Sequence, residues 1–306
     1  MNDGEHIVEV RTPWGLFRVA QGDRVLRHLS STTGHQGIER DLLLSLVEKT
    51  DTVVDIGAHI GTMTVPLARA ASAGRTLAIE AAPFTFELLR QNLALNQLSQ
   101  VLAVNALVGL GQTRRIVDLT PGDTGSTSFR RSANDGQGVV SHPLSEIINR
   151  NLGPDAVVNV MKIDVEGMEP EVLESGAALF SRKLPIVMLE VYVPSPHRRE
   201  GACQRLRRLD TFFKSFDYRF FTVLGVTKSR NPVPEIVMIG SFRSLALYWG
   251  LLIDVIAIPR ASSRQLQATL GPIQTHLRLL EMSVQAAVIA LRRTLTGHSP
   301  NSSSNH

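Results

Sequence analysis

The chain of 306 residues holds a single cysteine, Cys203. No internal disulfide framework and no paired-cysteine zinc site can be built from it, and this usage fits a reducing cytosol. Aromatic residues make up only 5% of the chain, charged residues 20%, and the net charge is +4. That mild basicity is too small to mark a nucleic-acid-binding protein. The opening stretch MNDGEHIVEVRTPWG is polar and lacks the apolar core of a secretory signal. Long hydrophobic runs are also missing. The most apolar stretch, residues 236–259, is broken by Arg243 and Asp254 and falls short of the roughly 20 apolar residues that a spanning helix needs. A buried strand followed by a core helix is expected there. A cytoplasmic protein without a transmembrane segment is the expectation for the whole.

What the chain does have is enough apolar material, 43% of residues, for a sizeable core. Residues 7–20 read as a hairpin around Thr12–Pro13, and 37–49 carry apolar residues at helical spacing. From residue 52, strands and helices alternate: strands at 52–56, 75–80, 101–108, 157–167 and 184–192, with helical segments between them. An added β-segment is expected around the polar loop 121–138. Residues 218–225 and 235–240 read as a terminal strand pair. This alternation predicts an α/β, Rossmann-like fold: a mainly parallel sheet, helices on both faces, and an antiparallel pair at the end. The domain is expected to run over 37–241. A hairpin extension (1–36) precedes it, and a helical extension (242–295) and a low-complexity tail (296–306) follow. In such a sheet the ligand sits at the carboxyl ends of the strands. Asp55, Glu80, Asn105, Asp164 and Glu190 all fall there.

The segment DTVVDIGAHIGTMTVPLA, residues 51–68, is a strand running into Asp55, Gly57 and Gly61 and then a helix. The dinucleotide fingerprint G-x-G-x-x-G is absent, because Ala58 and His59 follow Gly57, and no GK[ST] phosphate loop occurs. The remaining D-x-G-x-x-x-G suits a smaller adenosine ligand that carries an amino acid. Glu80 closes the next strand after the spacing of about 20 residues that suits a ribose contact.

Together these residues resemble class I S-adenosylmethionine-dependent methyltransferases. Three stretches are similar to the FkbM-type family in particular: DIGAHIGTMTVPLA with IEAAPFTFELLRQNLALN, GDTGSTSF, and VMKIDVEGMEPEVLESGAALF leading to PIVMLEVY. The resemblance spans roughly residues 37–193. It implies the class I methyltransferase fold, the cofactor S-adenosyl-L-methionine and O-methylation of sugars or secondary metabolites. It also implies that Asp55, Gly57 and Gly61 line the amino-acid part of the cofactor, that Glu80 holds its ribose, and that Asn105 and Ala106 lie near its adenine. His59 stands in the turn where the resemblance implies Asn, and two outcomes are open: the same contact through a ring nitrogen, or crowding of the cofactor.

Methyl transfer to a hydroxyl needs a base within hydrogen-bond reach. Asp164 and Glu166 of KIDVEG and Glu190 of the next strand are the candidates. A metal is expected less than a base, since no histidine stands with them at ligand spacing. The loop GDTGSTSF is expected near the cofactor or acceptor, and Tyr192 and His197 are weaker acceptor-pocket candidates. The five arginines of HRREGACQRLRRLD read first as a solvated helix face. The basic tail fits packing or self-association, with membrane-surface contact as the minor alternative. A nicotinamide-dependent oxidoreductase and a non-catalytic assembly module are the rival readings.

Overall fold

Branched residues dominate the short apolar runs of this chain, and they build its central sheet. The computed structural model describes residues 6–29, 37–111, 114–120, 123–131, 139–193, 199–226, 233–247, 251–264 and 278–280. The N-terminal hairpin is β1 (Ile7–Thr12) and β2 (Gly15–Ala20), followed by α1 (Arg24–Leu29) and α2 (Gly37–Ser45). The alternating part then begins with β3 (Thr52–Ile56), α3 (Thr64–Ala70), β4 (Arg75–Glu80), α4 (Pro83–Leu95) and β5 (Leu102–Asn105). A side sheet follows, made of β6 (Leu107–Val108), β7 (Arg114–Thr120), β8 (Asp123–Arg131) and β9 (Val139–His142). The chain returns through α5 (Leu144–Leu152), β10 (Val160–Ile163), α6 (Glu169–Ser175), α7 (Ala177–Phe180), β11 (Ile186–Val193) and α8 (Arg199–Lys214). It closes with β12 (Tyr218–Val226), β13 (Val233–Ile239), a 3₁₀ turn at Phe242–Leu247, β14 (Leu251–Pro259) and β15 (Arg278–Leu280).

The central sheet has the order β15-β13-β12-β14-β11-β10-β3-β4-β5 among the described residues. β11, β10, β3, β4 and β5 are parallel neighbours, and β14 enters antiparallel between β11 and β12. The chain order reverses between β3 and β10, so the two carboxyl ends splay apart there. This is the place where such a sheet binds its ligand.

Side-chain alternation along the strands feeds two cores. Val54, Ile56, Met161, Ile163, Val187 and Leu189 pack towards α5, α6 and α8. Val53, Val160, Ile186, Met188 and Ile256 pack towards Leu42 and Leu43 of α2 and Leu67 of α3. The N-terminal hairpin is sewn onto α4 by two asparagines one turn apart. Asn92 and Asn96 accept the Arg18 and Leu16 N–H groups at 2.6 and 3.1 Å and donate to the carbonyls of the same residues at 3.2 and 2.7 Å. Their amides thus stand in for a neighbouring strand along the free edge of β2.

Three expectations are corrected. The core helix expected after residue 241 is the strand β14, held between β11 and β12 in the middle of the sheet. LLIDVIAIP is short and rich in β-branched residues, which favours a strand over a helix. Residues 265–277 and 281–306, which carry the rest of the helical expectation, lie outside the described residues, as does His197. Second, Asp123–Arg131 of the expected polar loop is a strand paired with β7, with a register shift at Leu119/Thr120. Cross-strand pairing overrides the turn preference of Gly and Ser in that segment. Third, β10 covers only Val160–Ile163 of the run 157–167, so Asp164 and Glu166 stand in the turn beyond it.

Candidate functional site

The turn after β3 is built by backbone conformation. Gly57, His59 and Gly61 have φ of 77°, 52° and 94°. The Gly57 and Ala58 N–H groups donate to the Ile79 carbonyl at 2.9 and 3.0 Å, tying the turn to β4. A Cβ on Gly61 would lie 2.9 Å from Leu89 of α4. His59 is left-handed, a conformation in which histidine is among the enriched non-glycine residues.

Glu80 ends β4 beside the turn and is 7% exposed. Its Oε2 accepts the His59 N–H and its Oε1 the Ala82 N–H, both at 2.8 Å. One carboxylate therefore joins the β3–α3 turn to the β4–α4 turn. Burial raises its pKa and the two backbone donors oppose that rise. A carboxylate has about four acceptor positions, so these two bonds leave capacity for hydroxyls. Asn105, exposed at the end of β5, donates through Nδ2 to the Glu80 and Ala81 carbonyls at 2.8 and 3.1 Å. The Ala106 N–H also reaches the Glu80 carbonyl, at 3.1 Å. Sequence reasoning put these two residues at a ligand; in the structure their hydrogen bonds hold the backbone that presents Glu80.

Asp55 lies beneath the turn, not on its surface. It is 0% exposed, and its Oδ2 accepts the Thr64 hydroxyl at 2.6 Å. Its Oδ1 has no hydrogen-bond partner among the described residues, and Lys162 Nζ stands 4.0 Å away. Burial raises the Asp55 pKa, against the pull of Lys162. Lys162 is itself buried in β10, and its Nζ makes a 2.8 Å ion pair with Asp164 Oδ2. Asp164, Asp55 and Glu190 together raise the lysine's pKa although burial opposes them.

Asp164 keeps 20% of its side chain exposed at the carboxyl end of β10. Glu190, on β11, hydrogen-bonds Asp164, and its carboxyl is pushed up to about 10, first by burial and then by the charges of Asp164 and Asp254. Glu166 is exposed at φ 51°, on the turn completed by Gly167. The structure thus brings Asp55, Lys162, Asp164 and Glu190 together and leaves Glu166 at the rim. Among the described residues, no group of three or more His, Cys, Asp or Glu is arranged to hold a metal ion.

Sequence reasoning missed two members of this region. Asp254 of β14 is the register partner of Glu190. It is the one acid in the apolar run LLIDVIAIP, but its place opposite Glu190 comes only from the strand register. Glu169, 4% exposed, accepts the Gly167 N–H at 2.8 Å and fixes the turn that carries Glu166. The arginine-rich helix α8 has a structural use, since Arg208 clasps Glu171 and Glu174 of α6 at 2.7 and 2.6 Å.

A family model described as the methyltransferase FkbM domain matches residues 55–220, from the acid under the turn to β12. The chain belongs to the FkbM methyltransferase family. It is an S-adenosylmethionine-dependent methyltransferase with the class I fold. Comparison with curated proteins finds no match. Similar solved structures include the O-methyltransferase of Bacillus cereus in complex with SAH, at 16% identity and TM-score 0.45, covering 75% of this chain and 84% of that one. The FkbM methyltransferase of Methylobacillus flagellatus KT has 16% identity and TM-score 0.41, over 70% of this chain and 48% of that one. M. jannaschii TYW2 in complex with AdoMet has 15% identity and TM-score 0.43, over 84% and 87%. In this methyltransferase no described helix is long and apolar enough to cross a membrane.

Proposed function

We propose that this methyltransferase acts on a hydroxyl oxygen of a sugar or small metabolite, with Asp164 as the group that receives the hydroxyl proton. The residues of the β3–α3 turn fit the family's cofactor. Gly57, His59 and Gly61 open the backbone, Glu80 retains acceptor capacity for a ribose, and Asn105 and Ala106 brace the strand end next to it. Asp55 supports the turn from below through Thr64. The cofactor supplies an electrophilic methyl group, so the protein must place a nucleophile against it and manage one proton.

The observation that carries the acceptor reading is the Lys162–Asp164 pair. A buried ammonium at 2.8 Å favours the carboxylate form of Asp164, while a fifth of that side chain remains open. Asp164 therefore orients an acceptor hydroxyl and takes its proton as the oxygen gains the methyl. Glu190, held neutral, serves as a donor to Asp164 and not as a second base. Glu166, exposed on the neighbouring turn, is assigned here to contact the acceptor.

The test uses methyl-labelled S-adenosylmethionine with a panel of sugars and small hydroxylated metabolites. Asp164→Asn should leave cofactor affinity unchanged by calorimetry and lower label transfer by about 100-fold or more. Normal transfer by the variant, or label found only on nitrogen or carbon, overturns the reading.

A further inference from the structure

The arginine-rich helix α8 runs beside α6, and Arg208 sets their register by holding Glu171 and Glu174 at 2.7 and 2.6 Å. One helical turn earlier, Arg205 reaches the turn that leads into α6. A Cβ on Gly167 would lie 3.3, 3.5 and 3.8 Å from Nη1, Cζ and Nε of Arg205. Three atoms of one guanidinium therefore face the bare side of this glycine, whose φ is 94°. The turn is closed by the Met168 N–H on the Val165 carbonyl at 3.2 Å, and it starts from Asp164, just past β10. Three residues span at most about 11 Å, so the guanidinium stands at the carboxyl edge of the sheet, close to the proposed proton acceptor.

The two arginines differ in what they hold. Arg208 has two carboxylates. Arg205 is half-buried, and among the described residues it makes no hydrogen bond or ion pair. Neither Glu166, exposed one residue before Gly167, nor Asp164, paired with Lys162 at 2.8 Å, takes it up. Glu169 spends its Oε1 on the Gly167 N–H at 2.8 Å. A guanidinium partly withdrawn from water without a counter-ion is a standing cost that a bound anion removes. Its N–H donors form a planar fork that matches the paired oxygens of a carboxylate or a phosphate. Glycine at 167 adds no side chain to the space beside that fork.

We propose that Arg205 is a specificity-determining residue: its guanidinium binds an oxyanion carried by the acceptor, a carboxylate or a phosphate, so that the preferred substrate is an acidic sugar or other hydroxylated acid and not its neutral counterpart. The anchored acid presents its hydroxyl to Asp164. The role in the reaction rests on the reading of Asp164 given above; the capture of an oxyanion by Arg205 does not. The chemistry is unchanged. Asp164 takes the hydroxyl proton, the oxygen gains the methyl, and the oxyanion is held without reacting.

The full-length protein labelled with ¹⁵Nε-arginine, with and without S-adenosylhomocysteine, provides the first test. The Arg205 signal is identified by its loss in Arg205→Gln. Glucuronate or glucose 6-phosphate should shift that signal saturably, and glucose should not. A response to glucuronate marks a carboxylate seat; a response to glucose 6-phosphate and inorganic phosphate marks a phosphate seat. No saturable shift with either acid, or an equal shift with glucose, overturns the proposal. The second test compares acidic acceptors with their neutral counterparts, using methyl-labelled cofactor. Arg205→Gln should reduce the preference for the acidic member by about tenfold or more, mainly through KM. Arg205→Lys, which keeps the charge but not the fork, should retain part of the preference. An unchanged preference in both variants, whatever their melting temperatures, makes Arg205 a prop for the turn and overturns the specificity role. Failure of wild type to bind S-adenosylhomocysteine sinks the functional reading instead, and leaves the anion titration of the unloaded protein standing.

Discussion

Gly57 and Asp164 meet backbone to backbone: a Cβ on Gly57 would lie 1.8 Å from the Asp164 carbonyl oxygen. This contact joins the end of β3, where the turn begins, to the end of β10, where the proposed base stands. Asp164 in turn donates its N–H to the Ile56 carbonyl at 2.9 Å. Any side chain at position 57 would force the two strand ends apart, and φ of 77° disfavours one in its own right. Gly57→Ala should therefore lower unfolding stability by at least about 2 kcal/mol, read from the urea midpoint. An unchanged midpoint would contradict the tight approach.

Position 59 separates backbone from side-chain needs. His59→Asn should match wild type in stability within a few tenths of a kcal/mol, since Asn accepts φ near 52° as well as His does. His59→Val should cost about 1–2 kcal/mol, because a β-branched residue resists that conformation. Equal melting temperatures for the two variants would remove the conformational account of position 59.

Glu169 gives a pH dependence with a definite sign. Its carboxyl is raised from 4.5 to about 7, mainly by burial and against the Gly167 N–H bond, with Asp164 adding to the rise and Arg205 opposing it. The folded state thus holds this proton more tightly than the unfolded chain. The associated stability is fully present below 4.5 and is lost as pH rises through about 7. The loss is on the order of 3 kcal/mol. Glu169→Gln should be flatter than wild type across that window, measured by urea unfolding at successive pH values. Parallel curves would show that Glu169 does not carry the effect.

Much of the frame was legible because it is local. Strand runs such as TVVDI and RTLAIE, Pro83 at the start of α4 and the Gly57–Gly61 turn all announce themselves by composition and spacing. The site was legible only where its residues sit at the ends of those runs. Asp254 was hidden because its meaning depends on β14 pairing with β11, a contact across 64 positions (190 to 254) that no local period reveals. The same holds for Asn92 and Asn96, whose partners on β2 lie far upstream. Asp55 shows a subtler limit. Its place after a strand was clear, but its burial beneath Thr64 required the packed turn. Asp123–Arg131 looked like a loop because its strand character comes from β7, not from its own residues.

The central claim is that the β3–α3 turn and Glu80 form the cofactor seat, and calorimetric titration of wild type and Glu80→Ala with S-adenosylhomocysteine tests it most directly. Charge-assisted hydrogen bonds are worth roughly 1.5–3 kcal/mol each. The account predicts saturable one-site binding to wild type and an affinity more than tenfold weaker in the variant. No binding to wild type, or equal affinity in both while only the melting temperature of the variant falls, would contradict it and leave Glu80 as a tie between two turns.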